Sequence, residues 1–406
     1  MKTTYKAAKV GFSSNKLEAI TVWMERYVQS GKLPAAQTLV ARKGEIVYSK
    51  WTGFRDVQRQ QPWAGDTLAR FYSMSKPVTS FALMSLYEQG LFHLDDPIEA
   101  FLPSFANMRV LRKGARSITD TEPCQNKPTI RHLLTHCSGL TYDFNLGVLE
   151  SLYADEKMNF GPGAGLLEDE VNRLAEMPLK FEPGSRWNYG VSTDVIGRLI
   201  EVISGKRLDV FLTETVFDPL GMVETGFDVT DTGRGRLASS YTPDENGHLK
   251  LVEDSEQSVY ATGSVSCLSG GGGLVTTVGD YYKFADMIRQ RGGYGDGRNL
   301  LGSRTVDFIT CNHMSGDLAS MGQPVFSEVS FEGVGFGLGG WVMLDPAKAQ
   351  MMGSVGDFGW GGMASTVFWV DPVEDLIVLF ATQLIPSSYY PLRKELRALV
   401  YQALVD

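Results

Sequence analysis

Two residues at the start of a predicted helix have the types and the spacing that acyl transfer requires. Ser73 and Lys76 lie three positions apart in the segment Ser73-Met74-Ser75-Lys76, and residues three apart on a helix share one face. A serine hydroxyl is a weak nucleophile and needs an adjacent base to attack an acyl carbon. Lysine can be that base where burial or a neighbouring cation lowers its pKa. The pair predicts a serine nucleophile with a lysine base, although this spacing alone is common by chance.

A second proton-transfer group is predicted at Tyr189. The preceding Pro183-Gly184 pair predicts a turn, and a helix is expected to start near Ser192. A phenol beside an ammonium group can lose its proton more easily and act as a base. A tyrosine that only packs at the start of a helix would give the same local sequence, so this segment alone leaves both interpretations open.

A glycine-rich segment late in the chain is the candidate for an oxyanion hole. Glycines allow a backbone to approach a substrate closely, and this run leads into a predicted strand. One N–H group would come from this segment and one from Ser73 at the N-terminus of its helix. A glycine-rich hairpin or bulge is the alternative. The segment comprises Trp360, Gly361, Gly362 and Met363.

Helices and a hairpin in the first half of the chain would position these groups. Two β-rich runs around Lys43-Gly44 predict a hairpin. Residues 73 to about 90 predict a helix, in which Pro77 falls early enough to be tolerated, and residues 195–204 predict another that ends at Gly205. An amphipathic N-terminal helix is predicted from apolar residues at helical spacing, namely Leu17, Ile20, Trp23, Met24 and Tyr27.

The second half of the chain predicts an antiparallel sheet. Residues 270–273 are four glycines that precede a helix, and residues 391–404 predict a closing helix. Strands at both ends and an irregular, helix-leaning middle indicate an α/β fold: a discontinuous α/β domain, 1–72 and 262–406, with a mainly helical domain, 73–261, and the active site between them. No regular βαβ alternation occurs, which favours antiparallel pairing. The predicted late strands are GVGFGLGGWVML, STVFWVD and LIVLFATQ, with the last two forming a pair.

The composition is that of an ordinary globular protein. The chain has 406 residues, of which 43% are hydrophobic and 21% are charged. This length is too great for one simple core, so two domains or one large α/β unit are expected. The net charge of −9 and the lack of a long Lys/Arg run argue against nucleic acid and anionic membranes as partners.

The N-terminus and the cysteines favour a cytoplasmic protein. The first twenty residues are polar and lack the apolar segment of about 7–15 residues that a signal peptide has. The sequence contains no run of about 18 apolar residues, which is the length that would predict a membrane span. We expect free thiols in a reducing compartment, because no C-x-x-C pair or zinc-like spacing connects Cys124, Cys137, Cys267 and Cys311.

Taken together, the motifs resemble those of a known enzyme superfamily. A Ser-x-x-Lys motif is typical of penicillin-recognising serine enzymes. The Ser-x-x-Lys, Tyr189 and Trp-Gly-Gly motifs follow the order found in class C β-lactamase-like serine hydrolases, and more closely in the family VIII carboxylesterases. Residues 133–140, LLTHCSGL, are similar to the superfamily's Leu-Leu-Thr-His-Thr-Ser-Gly-Leu block. The similarity extends from about residue 15 to about residue 400 and implies the fold of penicillin-binding proteins.

The resemblance implies a role for each candidate residue. Ser73 would be the acylated nucleophile, and Lys76 with Tyr189 its general-base system. Tyr189 would also return a proton to the leaving alkoxide and help to activate the deacylating water. The backbone N–H groups of Ser73 and Met363 would form the oxyanion hole, and Trp360 would line the substrate pocket. No metal or organic cofactor is expected.

Two departures from the superfamily pattern bear on the substrate. The usual Tyr-Ala-Asn or Tyr-Ser-Asn is Tyr189-Gly190-Val191, so the asparagine is missing, and whether Ser192 replaces it is open. The Lys-Thr-Gly of true β-lactamases is Trp360-Gly361-Gly362. Tryptophan cannot hold the carboxylate of a β-lactam as that lysine would, but its ring suits a neutral, apolar ester.

Other site chemistries find little support. His132 and His136 are four apart and could bind metal from one helical face, but no Glu completes a His-Glu-x-x-His motif. The shared segment indicates that His136 is structural. The chain has no Gly-x-Ser-x-Gly, so the nucleophile elbow of an α/β-hydrolase is not predicted.

We therefore expect a serine carboxylesterase that hydrolyses short- to medium-chain esters, with weak cephalosporin hydrolysis as a side activity. A β-lactamase or D-amino-acid peptidase is the first alternative. An acyltransferase would use the same acyl-enzyme with an alcohol acceptor, and a non-catalytic binding protein is a further alternative. The expected partner is a small-molecule ester, and the sequence leaves the oligomeric state open.

Overall fold

The computed structural model describes residues 7–295, 297–322, 325–326 and 329–406. Its largest sheet follows the order β14-β15-β16-β17-β18-β1-β2-β3 with antiparallel neighbours. The other strands form two-stranded sheets. The strands are β1 (Ala35–Arg42), β2 (Glu45–Asp56), β3 (Gln61–Pro62), β4 (Ala69–Arg70), β5 (Arg109–Leu111), β6 (Thr121–Pro123), β7 (Ser240–Pro243), β8 (Leu249–Glu253), β9 (Val275–Thr276), β10 (Gly293–Tyr294), β11 (Arg298–Asn299), β12 (Val325–Phe326), β13 (Val329–Ser330), β14 (Val334–Phe336), β15 (Trp341–Met343), β16 (Phe358–Gly361), β17 (Val367–Asp371) and β18 (Leu376–Ala381).

Helices cover both faces of this sheet. Short 3-10 turns lie among them, as does one π-helical turn at Thr213–Phe217. No helix in the described ranges is both long and apolar enough to cross a membrane. The α-helices are α1 (Ser14–Gln29), α2 (Ser75–Glu88), α3 (Ile130–Leu134), α4 (Val148–Asp155), α5 (Leu167–Ala175), α6 (Ser192–Ser204), α7 (Leu208–Leu212), α8 (Asp218–Leu220), α9 (Val259–Thr262), α10 (Val278–Arg289), α11 (Ser303–Ile309), α12 (Pro346–Ala349) and α13 (Leu392–Tyr401).

Alternation along the central strands divides the apolar core into two layers. Every residue of β1 is buried, and successive side chains of a strand point to opposite faces. Leu39 and Ala41 therefore join the core under α2 and α10, whereas Ala36 and Val40 join the core under α1 and α13. Ser73 lies in the turn just before α2, which packs on the first of these faces.

Several sequence predictions are confirmed here. The fold is the predicted α/β arrangement with an antiparallel sheet. The five apolar residues predicted for the N-terminal helix are the buried residues of α1. The predicted hairpin turns at Lys43 and Gly44, both with positive φ, 53° and 77°, which suits the twist of a two-residue hairpin. The predicted pair β17 and β18 forms, and Gly205 ends α6 in the left-handed conformation.

Other predictions need correction or stay untested. The segment predicted as one strand, GVGFGLGGWVML, forms two strands, β14 and β15, because glycines at 337, 339 and 340 make a turn between them: the Gly337 N–H donates to the Gly340 carbonyl, 2.8 Å. The closing helix is shorter than 391–404. The helix predicted from residue 73 begins at Ser75, after a 3-10 turn. The division into domains 1–72 with 262–406 and 73–261 stays a prediction.

Candidate active site

Ser73 sits in a tight turn that leads directly into α2. The 3-10 turn Tyr72–Met74 precedes the helix, and Tyr72 has a φ of 43°, a left-handed conformation that costs a non-glycine residue energy and is frequent at active sites. Two contacts hold the turn in place. The Tyr281 hydroxyl donates to the Met74 carbonyl, 2.8 Å, and the Leu274 N–H donates to Ser75 Oγ, 3.0 Å.

Lys76 is fully buried beside the serine. Its Nζ donates to Ser73 Oγ at 3.1 Å, so the two residues meet as their helical spacing predicts. It also donates to the Tyr142 hydroxyl at 2.8 Å and to the Gly271 carbonyl at 2.7 Å. Three acceptors therefore hold the amine beside the Ser73 hydroxyl.

Tyr142 is a site residue that the sequence analysis missed. It lies just after the LLTHCSGL block, in a loop that follows α3. Burial, together with the neighbouring Tyr189 and Asp194, raises the pKa of Tyr142 well above its ordinary value. The phenol is therefore neutral, and its oxygen accepts from Lys76. Its position directly after a shared sequence block was the signal that could have identified it.

Tyr189 contacts the same lysine through its ring, beside Tyr142. Lys76 Nζ lies 4.7 Å from the centroid of the Tyr189 ring, a distance suited to a cation–π contact. The indole N–H of Trp360 donates to the Tyr189 hydroxyl, 3.3 Å. The Tyr189 carbonyl accepts from Asn145 Nδ2, 3.0 Å. The tyrosine is thus fixed at its backbone and at its hydroxyl.

His136 holds the backbone on either side of Tyr189. His136 Nδ1 accepts from the Gly190 N–H, 3.4 Å, and its carbonyl accepts from the Asn188 N–H, 3.0 Å. Burial and the nearby Lys76 lower the pKa of His136 well below its usual value, so the ring is neutral. Ser192 Oγ lies 2.9 Å from Ser138 Oγ, hydroxyl to hydroxyl, and is fully buried there.

His132 has a local structural role as well. It caps α3, because its Nδ1 accepts from the Thr129 N–H, 3.2 Å. In both His132 and His136, Nδ1 thus accepts a hydrogen bond from a backbone N–H group. In the part of the chain that the structure describes, no cluster of three His, Cys, Asp or Glu could hold a metal ion.

The glycine-rich segment approaches the nucleophile turn closely. A Cβ placed on Gly362 would lie 2.3 Å from the Phe71 carbonyl oxygen, just before the turn that carries Ser73, so only glycine fits. The Gly362 N–H donates to the Thr366 carbonyl, 2.9 Å, which closes a turn at the end of β16. Met363 lies in this turn, and its N–H has no acceptor among the described residues. It is therefore available to a substrate oxygen.

A loop of glycines completes the wall behind Lys76. Gly270 accepts from Thr79 Oγ1, 2.8 Å, and thereby packs against α2. Asp194 Oδ1 accepts from the Ser269 hydroxyl at 2.5 Å and from the Gly271 N–H at 3.0 Å. The glycine run was predicted to precede a helix, whereas Asp194 was not predicted as a site residue because it carries no local signal beyond being an acid in an apolar helix.

One cavity of about 630 Å³ connects these groups. Ser73, Tyr189, Asp194 and Met363 all line it, as do Gly361, Gly362 and Trp360. The volume lies in the range of sites for small organic ligands. Much of the remaining wall is aromatic, with contributions from Tyr72, Phe144, Phe160, Tyr260, Phe331 and Trp341.

Comparison with known proteins places the chain in a family. The model of the family described as Beta-lactamase matches residues 21–402. The chain belongs to the Beta-lactamase family. Esterase EstB of Burkholderia gladioli is 30% identical over 386 residues, which cover 90% of this chain and 89% of EstB. These matches confirm the resemblance predicted from the motifs.

Two solved structures extend the comparison within the family. EstCE1, described as a hydrolase with promiscuous acyltransferase activity, superposes with a TM-score of 0.80 at 26% identity, covering 95% of this chain and 99% of EstCE1. Simvastatin synthase (LovD) from Aspergillus terreus superposes with a TM-score of 0.78 at 25% identity, covering 96% of this chain and 98% of LovD. The chain is therefore a Beta-lactamase-fold hydrolase with relatives that hydrolyse esters and relatives that transfer acyl groups.

Proposed function

We propose that the protein is a serine carboxylesterase of the family VIII type, which hydrolyses short- to medium-chain esters through an acyl-serine intermediate. The observation that carries the proposal is the contact between Lys76 Nζ and Ser73 Oγ, 3.1 Å, beside a cavity that Ser73 lines together with several aromatic side chains. A buried amine in contact with a serine hydroxyl is the arrangement that activates such a nucleophile.

In the proposed acylation step, Ser73 Oγ bonds to the ester carbonyl carbon while its proton passes to the Lys76–Tyr189 system. The carbonyl electrons move onto the oxygen, which the N–H groups of Ser73 and Met363 stabilise. The intermediate then collapses, the bond to the alcohol oxygen breaks, and Tyr189 returns the proton to the leaving alkoxide.

In deacylation, water attacks the acyl-Ser73 carbonyl and gives its proton to the same base system. The acid is released and Ser73 is regenerated with its hydrogen. Each step is an addition or an elimination with a proton transfer, so the proposed chemistry needs no metal or organic cofactor.

Trp360 supports an ester rather than a β-lactam as the substrate. It occupies the motif position at which true β-lactamases carry the lysine of Lys-Thr-Gly, and it is 4% exposed. Its indole N–H is directed to Tyr189, so it brings no cation to bind a carboxylate. We therefore expect cephalosporin hydrolysis to be a weak side activity.

Acyl transfer is the second candidate, because EstCE1 and simvastatin synthase share the fold over nearly the whole chain. It would use the same acyl-Ser73, with an alcohol in place of water. The two candidates therefore differ only in the acceptor that reaches the acyl group. A cytoplasmic location and a small-molecule ester as the partner also stay predictions.

Mass spectrometry with parallel product assays tests the proposal. The protein is mixed with p-nitrophenyl butyrate and, separately, with nitrocefin, with and without an added alcohol. We expect fast release of p-nitrophenol, an acyl adduct on Ser73 and slow or no nitrocefin hydrolysis. Ser73→Ala should abolish turnover. Ser80→Ala is the matched control, because this buried α2 hydroxyl has no partner within the described ranges and its loss should leave activity unchanged.

The other outcomes separate the alternatives. Fast nitrocefin turnover with poor ester cleavage would identify a β-lactamase. A transfer product that exceeds the free acid when alcohol is present would identify an acyltransferase. Full ester hydrolysis by Ser73→Ala, or no adduct and no turnover with either substrate, would overturn the proposed mechanism.

A further inference from the structure

Asp194 is a buried carboxylate in the wall of the active-site cavity, and the mechanism proposed above gives it no task. It lies in the first turn of α6, five residues after Tyr189, and is 1% exposed. It lines the same cavity as Ser73. A buried charge is costly unless it is paired or hydrogen-bonded, so its presence in this wall calls for a physical reason.

One residue, Gly271, connects this carboxylate to the base. The Gly271 N–H donates to Asp194 Oδ1 at 3.0 Å, and the Gly271 carbonyl accepts from Lys76 Nζ at 2.7 Å. The fit is tight, because a Cβ on Gly271 would lie 2.5 Å from Asp194 Oδ2. Asp194 therefore holds the loop that supplies one of the acceptors of Lys76.

The carboxylate also acts on Lys76 through space. Lys76 favours the ionised form of Asp194. Burial raises the pKa of Asp194, whereas Lys76, Ser269 and Gly271 oppose that rise. The attraction is reciprocal, so an ionised Asp194 stabilises the protonated form of Lys76.

Three other titratable groups beside the pair stay neutral near pH 7, and Asp143 also lines the cavity and acts on one of them, Tyr142. Burial, with Asp194 contributing, raises the pKa of the Cys267 thiol. Burial likewise raises the pKa of Tyr142 well above its ordinary value. Burial and Lys76 lower the pKa of His136 well below its ordinary value. Tyr189 is the remaining group that faces the lysine.

We propose that Asp194 is a positioning residue for the base: its Oδ1 holds the Gly271 loop, whose carbonyl accepts from Lys76, and its negative charge favours the ammonium form of the amine. The inference rests on the proposed function, because Lys76 is the base only if Ser73 is acylated. The direction in which loss of this charge would change the pH dependence follows directly. Removing the negative charge makes the ammonium easier to deprotonate, so the free base persists to lower pH.

The pH dependence of kcat/KM for p-nitrophenyl butyrate tests this role, since its acid limb reports the base of the free enzyme. Asp194→Asn keeps an oxygen that can accept from Ser269 and Gly271 but removes the charge. We expect its acid limb to move by about one pH unit toward lower pH, with a plateau within about fivefold of the natural protein. Asp194→Ala should show the same displacement and a plateau at least about tenfold lower, because the loop loses its acceptor.

Two further variants keep the test decisive. Ser269→Ala removes one donor to the carboxylate and makes its ionised form less favourable, so it should move the limb in the same direction by a smaller amount. If Asp194→Asn does not fold, Ser269→Ala tests the inference in its place. Asp371→Asn is the matched control: this buried carboxylate accepts from the Val373 N–H, 3.0 Å, and the Tyr401 hydroxyl, 2.7 Å, away from the cavity. Its acid limb should superimpose on that of the natural protein.

An acid limb in Asp194→Asn that is unchanged or moved to higher pH would overturn the inference. The rate at which a fluorophosphonate labels Ser73, followed against pH, distinguishes this failure from failure of the proposed function. If the natural protein cleaves no ester but labels at Ser73, the ester assignment fails while the labelling profiles still measure Lys76. If Ser73 does not label at all, both fail together.

Discussion

Replacing Tyr142 and Tyr189 with phenylalanine, one at a time, tests which phenol transfers protons. Lys76 Nζ donates to the Tyr142 hydroxyl at 2.8 Å, whereas the amine lies over the Tyr189 ring, 4.7 Å from its centroid. The two variants remove one oxygen each and keep the ring. Tyr142→Phe retains the stacking on Phe144, with centroids 4.8 Å apart, so the fold should be preserved.

The expected magnitude follows from the contacts of the lysine. A hydrogen bond to a charged group contributes about 1.5–3 kcal/mol, and about 1.4 kcal/mol corresponds to a tenfold change in rate. Two acceptors of Lys76 remain in Tyr142→Phe, Ser73 Oγ and the Gly271 carbonyl. We therefore expect a loss near the lower limit, about tenfold in kcat/KM. Tyr189→Phe removes a general acid–base and should lose about 10²- to 10⁴-fold.

The assay is kcat/KM for p-nitrophenyl butyrate, with the acylation burst measured separately by stopped flow and thermal melting as the folding control. Tyr189→Phe should slow both the burst and the steady state, because the phenol serves acylation and deacylation. Losses in Tyr142→Phe as large as those in Tyr189→Phe, in a folded protein, would contradict this prediction and make Tyr142 a proton-transfer phenol.

Three further substitutions probe the oxyanion segment, the pocket wall and the fold. Gly362→Ala should lower kcat/KM for p-nitrophenyl butyrate at least about tenfold, because its Cβ would lie 2.3 Å from a backbone carbonyl oxygen and displace the turn. Trp360→Phe loses the hydrogen bond to Tyr189, 3.3 Å, and kcat should fall about three- to tenfold. Asp357→Ala breaks a buried ion pair with Arg397, 2.7 Å, and should lower the free energy of unfolding in urea by about 3–5 kcal/mol.

Each of these has a control or a contradicting result. Gly235→Ala has open space around its new Cβ and should leave kcat/KM unchanged, whereas full activity in Gly362→Ala would show that the turn does not set the oxyanion donors. An unchanged kcat in Trp360→Phe would show that the hydrogen bond from the indole N–H does not contribute to the role of Tyr189. A urea midpoint in Asp357→Ala equal to that of the natural protein would mean that the Arg397 charge is satisfied without its partner.

The sequence by itself determined the local structure of this protein. Helical spacing placed Lys76 against Ser73 and identified the buried face of α1, because the same face of a helix recurs every three or four residues within a short segment. The Lys43-Gly44 pair defined the first hairpin for a similar reason: two residues in the left-handed conformation reverse a chain locally. Motif order over nearly the whole length then identified the superfamily.

The tertiary structure alone decided which other groups reach the base. Tyr142 lies 66 residues from Lys76 along the chain, and Gly271 lies 195 residues from it. Both stand in loops, where no periodicity shows which way a side chain or carbonyl points. Asp194 is an acid in a helix with a buried apolar face, and only the packing of the glycine loop against that helix brings its oxygen to Gly271. Long-range contacts of this kind depend on how complete elements pack, so a reading of local spacing could not supply them.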